Sequence, residues 1–271
     1  MNRPGSTPIS LGMFDATSFP FADAPLRDPL TGVVDGTLGN VRSRRNQPLI
    51  FYTNSGVEYW GGGRVASLVH STPDGTEDIA LPNNVRAYFF AGTQHSPGAF
   101  PPSSDGNAQE MRNPTDYWWH MRALLTALKE WVVSGVEPPR SQYPNFKDDN
   151  LVRPSAIKFP LLPGVRTPRD RTAGGRVENQ WLNTDGDVGE RLPIFVPQVD
   201  VDGNEVSGVR HPEVTVPLAD GKFGRTCEGD GSGPEEGVVG RSGGRERCGI
   251  SIIILLAEHS RSGDGTGDSV V

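Results

Sequence analysis

Cysteine is nearly missing from this chain. Its 271 residues hold two, Cys227 and Cys248, both in a glycine-rich C-terminal stretch. Their spacing matches no metal-ligand pattern, and two thiols in such a stretch are ordinarily free, although they could pair. Long apolar runs are missing too. The most apolar one, Ile252 to Ala257, falls far short of the roughly 20 residues that a bilayer crossing takes, so no membrane span is expected. Positive charge is in deficit, with 26 Lys and Arg against 33 Asp and Glu and a net charge of -7. Nucleic-acid binding needs clustered Lys and Arg, and no basic stripe interleaved with aromatics occurs here. Hydrophobic residues make up only 35%, whereas Gly (34) and Pro (24) are abundant, so a packed core is expected in only part of the chain. Met1 opens onto Asn-Arg-Pro-Gly-Ser-Thr-Pro, without the basic and apolar regions of a signal peptide. The default expectation is a soluble intracellular chain. It holds only if Met1 is the natural start, so the compartment stays unknown.

What is present is organised around Val85–His95, an aromatic run (Tyr88, Phe89, Phe90) that ends at Gly92. It has neither a helical stripe nor polar alternation, which predicts a strand covered on both faces, as in a parallel sheet. Gly92 permits a sharp turn, placing His95 beyond the strand's carboxyl end, where open α/β sheets bind ligands. Pro48 to Thr53 predicts a second buried strand, ended by Asn54-Ser55-Gly56 and followed by Val57-Glu58-Tyr59-Trp60. A short helical pattern from Arg64 to His70 then leads to the strand at Val85, which makes a βαβ crossover. The strongest helix signal follows a proline-rich loop. Asn113 is the expected N-cap, Pro114 is N1, and Trp118, Met121, Leu124, Leu125, Leu128 and Trp131 form one stripe. Gly135 and Pro138-Pro139 end it. From Tyr143 to about Leu192 the chain reads as irregular. Asp202-Gly203-Asn204 between apolar runs predicts a hairpin.

Glu58 and His95 each follow the carboxyl end of a buried strand of one crossover unit, which makes them expected neighbours. A carboxylate bonded to an imidazole fixes its tautomer and stabilises the imidazolium formed when His takes a proton. The competing reading leaves Glu58 solvated and His95 capping a turn. Spacing alone leaves the two even.

The chain also carries the words F-Y-T-N-S-x-x-E-Y-W (Phe51 to Trp60), A-S-L-V-H (Ala66 to His70), F-A-G-T-Q-H (Phe90 to His95) and N-P-T-D-Y-W-W (Asn113 to Trp119). R-A-L-L-T-A-L (Arg122 to Leu128), E-P-P-R-S-Q-Y-P (Glu137 to Pro144) and V-P-Q-V-D-V-D-G-N-E (Val196 to Glu205) follow in order. From about Ile50 to Ala219 the chain resembles the C-terminal part of a poorly characterised α/β-hydrolase domain family. The resemblance implies a partial α/β-hydrolase fold and matches Glu58 and His95 to the acid and base of a Ser-His-Glu triad. It implies a small-molecule, ester-type substrate and no cofactor or metal.

The nucleophile elbow that such a fold needs, G-x-S-x-G between strand and helix, has no match before Glu58. The chain therefore reads as truncated, with a loop or lid-like segment at 1–47, hydrolase sequence at 48–220 and a disordered or divergent tail at 221–271. Gly62-Gly63 reads as an insertion. Gly240-Arg241-Ser242-Gly243-Gly244 fits the elbow's letters, but it follows His95 and lacks a strand before it, so it reads as chance. Asn183-x-Asp185-x-Asp187 and Asp200-x-Asp202-x-Asn204 lack the remaining ligands of a calcium loop and read as turns. His70, His120, His211 and His259 show no metal spacing. The expectation is a serine-hydrolase fragment, esterase-like in family but inactive as this chain. The alternatives are a non-catalytic interaction module, with possible self-association through an exposed sheet edge, and a mispredicted, truncated gene product.

Overall fold

A computed structural model of the chain describes residues 16–17, 19–29, 31–39, 47–60, 66–101, 113–161, 173–177, 191–215 and 252–256. The strands in chain order are β1 (Ala16–Thr17), β2 (Leu26–Arg27), β3 (Val34–Asp35), β4 (Leu49–Asn54), β5 (Val85–Ala91), β6 (Leu151–Val152), β7 (Ala173–Val177), β8 (Arg191–Pro193), β9 (Val196–Pro197), β10 (Val209–Arg210) and β11 (Ile252–Leu256). The helices are α1 (Gly56–Trp60), α2 (Trp118–Ser134) and α3 (Pro212–Thr215).

The two predicted buried strands are the centre of a four-stranded sheet of order β10-β5-β4-β11. β4 and β5 run parallel, with Ile50 opposite Val85 and Asn54 opposite Phe89, so their carboxyl ends lie nearly level. Parallel neighbours need a crossover connection. Here α1 and a 3₁₀ turn at Ala66–Val69 lie within it, the latter shorter than the helix expected from Arg64 to His70. Alternation divides the strands between two cores. Phe51, Tyr88 and Phe90 face α2 and meet Met121, Leu124, Leu128 and Trp131. On the opposite face Ile50, Tyr52, Val85 and Ala87 pack together, while Phe89 and Ala91 meet Tyr59, Ala66 and Phe195.

Both long edges of this pair are covered. Along β5, Gln142 bonds Ala87 and Phe89 through its backbone, and β10 pairs in parallel at Phe90 and Ala91. Along β4, β11 pairs antiparallel, from Ile252 opposite Thr53 to Leu256 opposite Leu49. The expectation of a disordered or divergent tail at 221–271 is therefore corrected at Ile252–Leu256. A strand edge carries unpaired N–H and C=O groups, and a run of β-branched and aliphatic residues is suited to pairing with it.

Four further expectations change. The helix begins at Trp118, not at Asn113. The amide of Asn113 instead donates to the Gly92 carbonyl (2.8 Å), and its Oδ1 accepts from Thr115 N–H, while Asp116 accepts the N–H of Trp118. Trp118 and Leu125 are exposed, so the buried stripe is Met121, Leu124, Leu128 and Trp131. Gly135 caps the helix in the left-handed conformation, as expected. The Asp202-Gly203-Asn204 turn forms but is followed by a single bridge, Val199 to Glu205, after which the chain leaves to join the main sheet as β10. Within the stretch read as irregular, β6 pairs with β9, and β7 pairs with β1 and β8.

Of the segment read as lid-like, Phe21, Ala22 and Asp23 are buried, and β2 pairs with β3 around a turn at Asp28. Asp23 accepts hydrogen bonds from Tyr52 Oη (2.9 Å) and from Thr37, which ties this segment to β4. Residues 1–15, Gly62-Gly63, Asn183–Asp187, Ser242 and the rest of the tail lie outside the described residues.

Candidate active site

At the carboxyl end of β4 the chain turns directly into α1, and the turn is built by Ser55 and Glu58. One oxygen of Glu58, Oε2, accepts both the backbone N–H of Ser55 (2.7 Å) and its hydroxyl (2.6 Å). A carboxylate reaching back from the third helical position to the N–H of the capping residue is one half of a capping box. The second oxygen, Oε1, is thereby aimed at the neighbouring strand end, 2.8 Å from His95 Nδ1. Glu58 is only 2% exposed. The reading that left it solvated in a glycine-rich loop is overturned.

Burial opposes ionisation of Glu58. The hydrogen bond from His95, then those from the Ser55 hydroxyl and N–H, outweigh it and hold the carboxyl below its ordinary value. An ionised Glu58 accepts a proton-bearing Nδ1, which fixes the neutral imidazole as the Nδ1–H tautomer. That leaves Nε2 as the basic nitrogen. The His95 side chain is 26% exposed against 3% for that of Glu58, so the imidazole is open to solvent while the carboxylate bonded to it is not.

The loop that carries His95 is fixed from several sides. Gly92 adopts φ +70°, the conformation that lets the chain leave β5 abruptly. The hydroxyl of Thr93 donates to Phe90 O (2.7 Å), and the Asn113 amide holds the Gly92 carbonyl. Tyr117 Oη donates to the backbone carbonyl of His95 while its ring stacks on Phe90. Burial, then the Glu58 and Asp116 charges, push the Tyr117 phenol up to about 12, which keeps it a neutral donor. The two strand ends are joined directly by Gly56 N–H donating to Thr93 O at 3.2 Å.

Sequence reasoning missed Ser55, Tyr117 and the second role of Asn113. The S-x-x-E spacing of Ser55 and Glu58 was a usable signal; Tyr117 offered none.

The remaining histidines stand apart from this pair. His70 is buried, shares a 2.9 Å hydrogen bond with Tyr59 Oη, and is pushed down to about 4 by burial. His120 and His211 stack on each other at 4.2 Å between ring centroids, and His259 lies outside the described residues. Asp200 directs its carboxylate to its own turn and to Arg210 (2.8 Å). Among the described residues no group of three or more His, Cys, Asp or Glu side chains is placed to hold a metal, and no helix is long and apolar enough to cross a membrane. A groove of about 480 Å³, lined in part by Arg140, Gln142, Tyr143, Asn150 and Ser207, contains neither Glu58 nor His95. No serine hydroxyl among the described residues is hydrogen-bonded to His95.

Residues 28–240 match a family model described as an alpha/beta hydrolase domain. The match begins earlier and ends later than the Ile50–Ala219 span carried by the recognisable words, and it takes in Glu58 and His95. No curated protein and no solved structure matches the chain.

Proposed function

The chain belongs to the α/β-hydrolase domain family, and from that premise we propose that Glu58 and His95 are the acid and base of a Ser-His-Glu triad for acyl-ester hydrolysis. The observation that carries this reading is the 2.8 Å contact between Glu58 Oε1 and His95 Nδ1. In that role His95 Nε2 takes the proton of an attacking serine hydroxyl and returns it to the leaving alkoxide. Glu58 holds the ring in the required tautomer and offsets the charge of the imidazolium, without itself becoming protonated. Backbone N–H groups stabilise the oxyanion of the tetrahedral intermediate.

In this reading Glu58 and His95 supply the orienting acid and the base, and no G-x-S-x-G motif precedes Glu58 in the sequence. Gly240-Arg241-Ser242-Gly243-Gly244 carries the letters of an elbow, but it comes after the histidine, whereas the fold's order is Ser, acid, His. Ester turnover by this mechanism is therefore not expected from the chain alone. The test is incubation of the full chain with a nitrophenyl ester and with a fluorophosphonate probe. The expected result is neither serine labelling nor turnover that depends on His95. Serine-specific labelling together with turnover abolished by His95→Ala would overturn the inactive-fragment reading and locate a nucleophile.

A further inference from the structure

A second carboxylate lies beneath the pair: Glu205, the last residue of the word V-P-Q-V-D-V-D-G-N-E, to which the sequence assigned no role. Glu205 is 2% exposed. Its Oε2 accepts the N–H of Gly92 at 2.6 Å, the residue at which the chain leaves β5 toward His95. Its Oε1 faces Gly56, the first residue of α1, closely enough that a Cβ there would sit 3.2 Å from it and 3.3 Å from Thr93 O. One carboxylate thus bonds the backbone that delivers His95 and faces, across the space a Cβ of Gly56 would fill, the backbone that delivers Glu58, at the place where Gly56 N–H already bonds Thr93 O.

The support beneath Glu205 is a closed turn. Asp200 N–H bonds Asn204 O (2.8 Å), and Val206 N–H bonds Gln198 O (3.0 Å). Asp200 Oδ1 accepts the N–H groups of Asp202 and Asn204, both at 3.0 Å, and its Oδ2 pairs with Arg210 at 2.8 Å. On the far side, β10 pairs with β5 at Phe90 and Ala91. Glu205 therefore projects from a segment anchored to β5 on one side and to its own turn on the other.

We propose that Glu205 is the positioning residue of the Glu58–His95 pair, fixing the spacing of the two strand-end loops so that Nδ1 meets Oε1. It touches no reacting atom, so it acts through the two loops and not on a substrate. The proposal rests on the reading of Glu58 and His95 as an acid–base pair.

The test is nitrogen NMR of the full chain labelled at histidine, which reports the tautomer of His95 and the hydrogen-bonded Nδ1–H resonance. Glu205→Gln keeps an oxygen able to accept from Gly92 and is expected to retain the Nδ1–H tautomer. Glu205→Ala is expected to lose the resonance and to mix the tautomers, as is Glu58→Ala. Leu128→Ala, a core change on the α2 face, is expected to retain it, which separates positioning from general loosening. Should Glu205→Ala fail to fold, Glu205→Asp, which withdraws the carboxylate by one methylene, carries the same expectation of loss. Retention of the resonance in the folded alanine or aspartate variant, while Glu58→Ala loses it, overturns the role of Glu205. Loss in Leu128→Ala as well as in Glu205→Ala overturns it too. Retention in Glu58→Ala instead overturns the acid–base reading itself, whatever Glu205 does.

Discussion

Ser55 gives both its backbone N–H and its hydroxyl to one oxygen of Glu58, at 2.7 and 2.6 Å, which leaves the other oxygen to His95. A carboxylate with two free oxygens could rotate between partners; this one is held by its own helix start. Removing the hydroxyl in Ser55→Ala keeps the backbone bond and deletes the other. A hydrogen bond to a buried charge contributes about 1.5–3 kcal/mol, and urea unfolding at neutral pH should register a loss in that range. The change also has a pH signature. Because the folded value of Glu58 lies below its unfolded one, its contribution is present above the ordinary carboxylate range and is lost as pH falls through the folded value. With one of the lowering bonds gone the folded value moves back toward the unfolded one, so the acid loss in Ser55→Ala should be smaller and should be complete at higher pH than in the parent chain.

His70 should make the protein sensitive to pH in a different window. Burial holds it at about 4, below the ordinary histidine value of 6.5. Between those two values the unfolded chain binds a proton that the folded chain does not, so stability rises with pH across this range. Falling from pH 6.5 to 4 should remove about 3 kcal/mol, at roughly 1.36 kcal/mol per pH unit. Urea midpoints measured across that range check this. In His70→Gln, which cannot titrate, the slope should flatten even though the variant is less stable overall, since Tyr59 Oη sits 2.9 Å from the ring nitrogen it would lose.

How much of this was legible in the sequence follows from which interactions are local. β4 and β5 could be read because every residue from Ile50 to Asn54, and most from Val85 to Ala91, is buried, so no polar alternation interrupts the apolar run. Their parallel pairing then brought Glu58 and His95 to the same end of the sheet. The capping signal at Asn113-Pro114-Asp116 misled because its local bond forms without a helix: Asn113 Oδ1 accepts the Thr115 N–H, while its NH2 group ties the residue to the exit of β5. Asn113 donates to Gly92, a residue distant in sequence, and α2 starts one turn later at Trp118. Glu205 was illegible because its partner Gly92 lies 113 residues away, and an acidic residue after a turn reads as solvated until the contact is seen. The pairing of Ile252–Leu256 with β4 was missed because composition characterises a segment and says nothing of an unfilled strand edge elsewhere.

α2 offers a direct comparison between two leucines that the apolar stripe treats as equivalent. Leu128 is fully buried against the Phe51, Tyr88 and Trp131 cluster, whereas Leu125 is 50% exposed. Leu128→Ala should cost about 2–5 kcal/mol, combining lost transfer energy with the cavity left behind. Leu125→Ala should stay within about 0.5 kcal/mol, as substitutions on an open helix face do. Thermal unfolding of the two variants side by side reads the difference. Equal losses would mean that the outer face of α2 is covered in solution.

At Gly92, as at Gly75 and Gly208, backbone conformation and packing both oppose a side chain. Its φ of +70° puts it in the left-handed region, where an L residue is strained. A Cβ built there also runs into Val214 Cγ2, on the short helix that follows β10. The same residue donates its N–H to Glu205 and accepts from Asn113, so any shift that relieves the clash pulls on both of those bonds. Gly92→Ala should therefore cost about 1–2 kcal/mol for the conformation and about 1–3 kcal/mol for overpacking, measured by urea unfolding. Trimming the obstacle separates the two terms: in Gly92→Ala combined with Val214→Ala the overpacking part should be recovered while the conformational part remains. A double variant no more stable than Gly92→Ala would show that the backbone angle, and not the contact with α3, sets the requirement for glycine at the exit of β5.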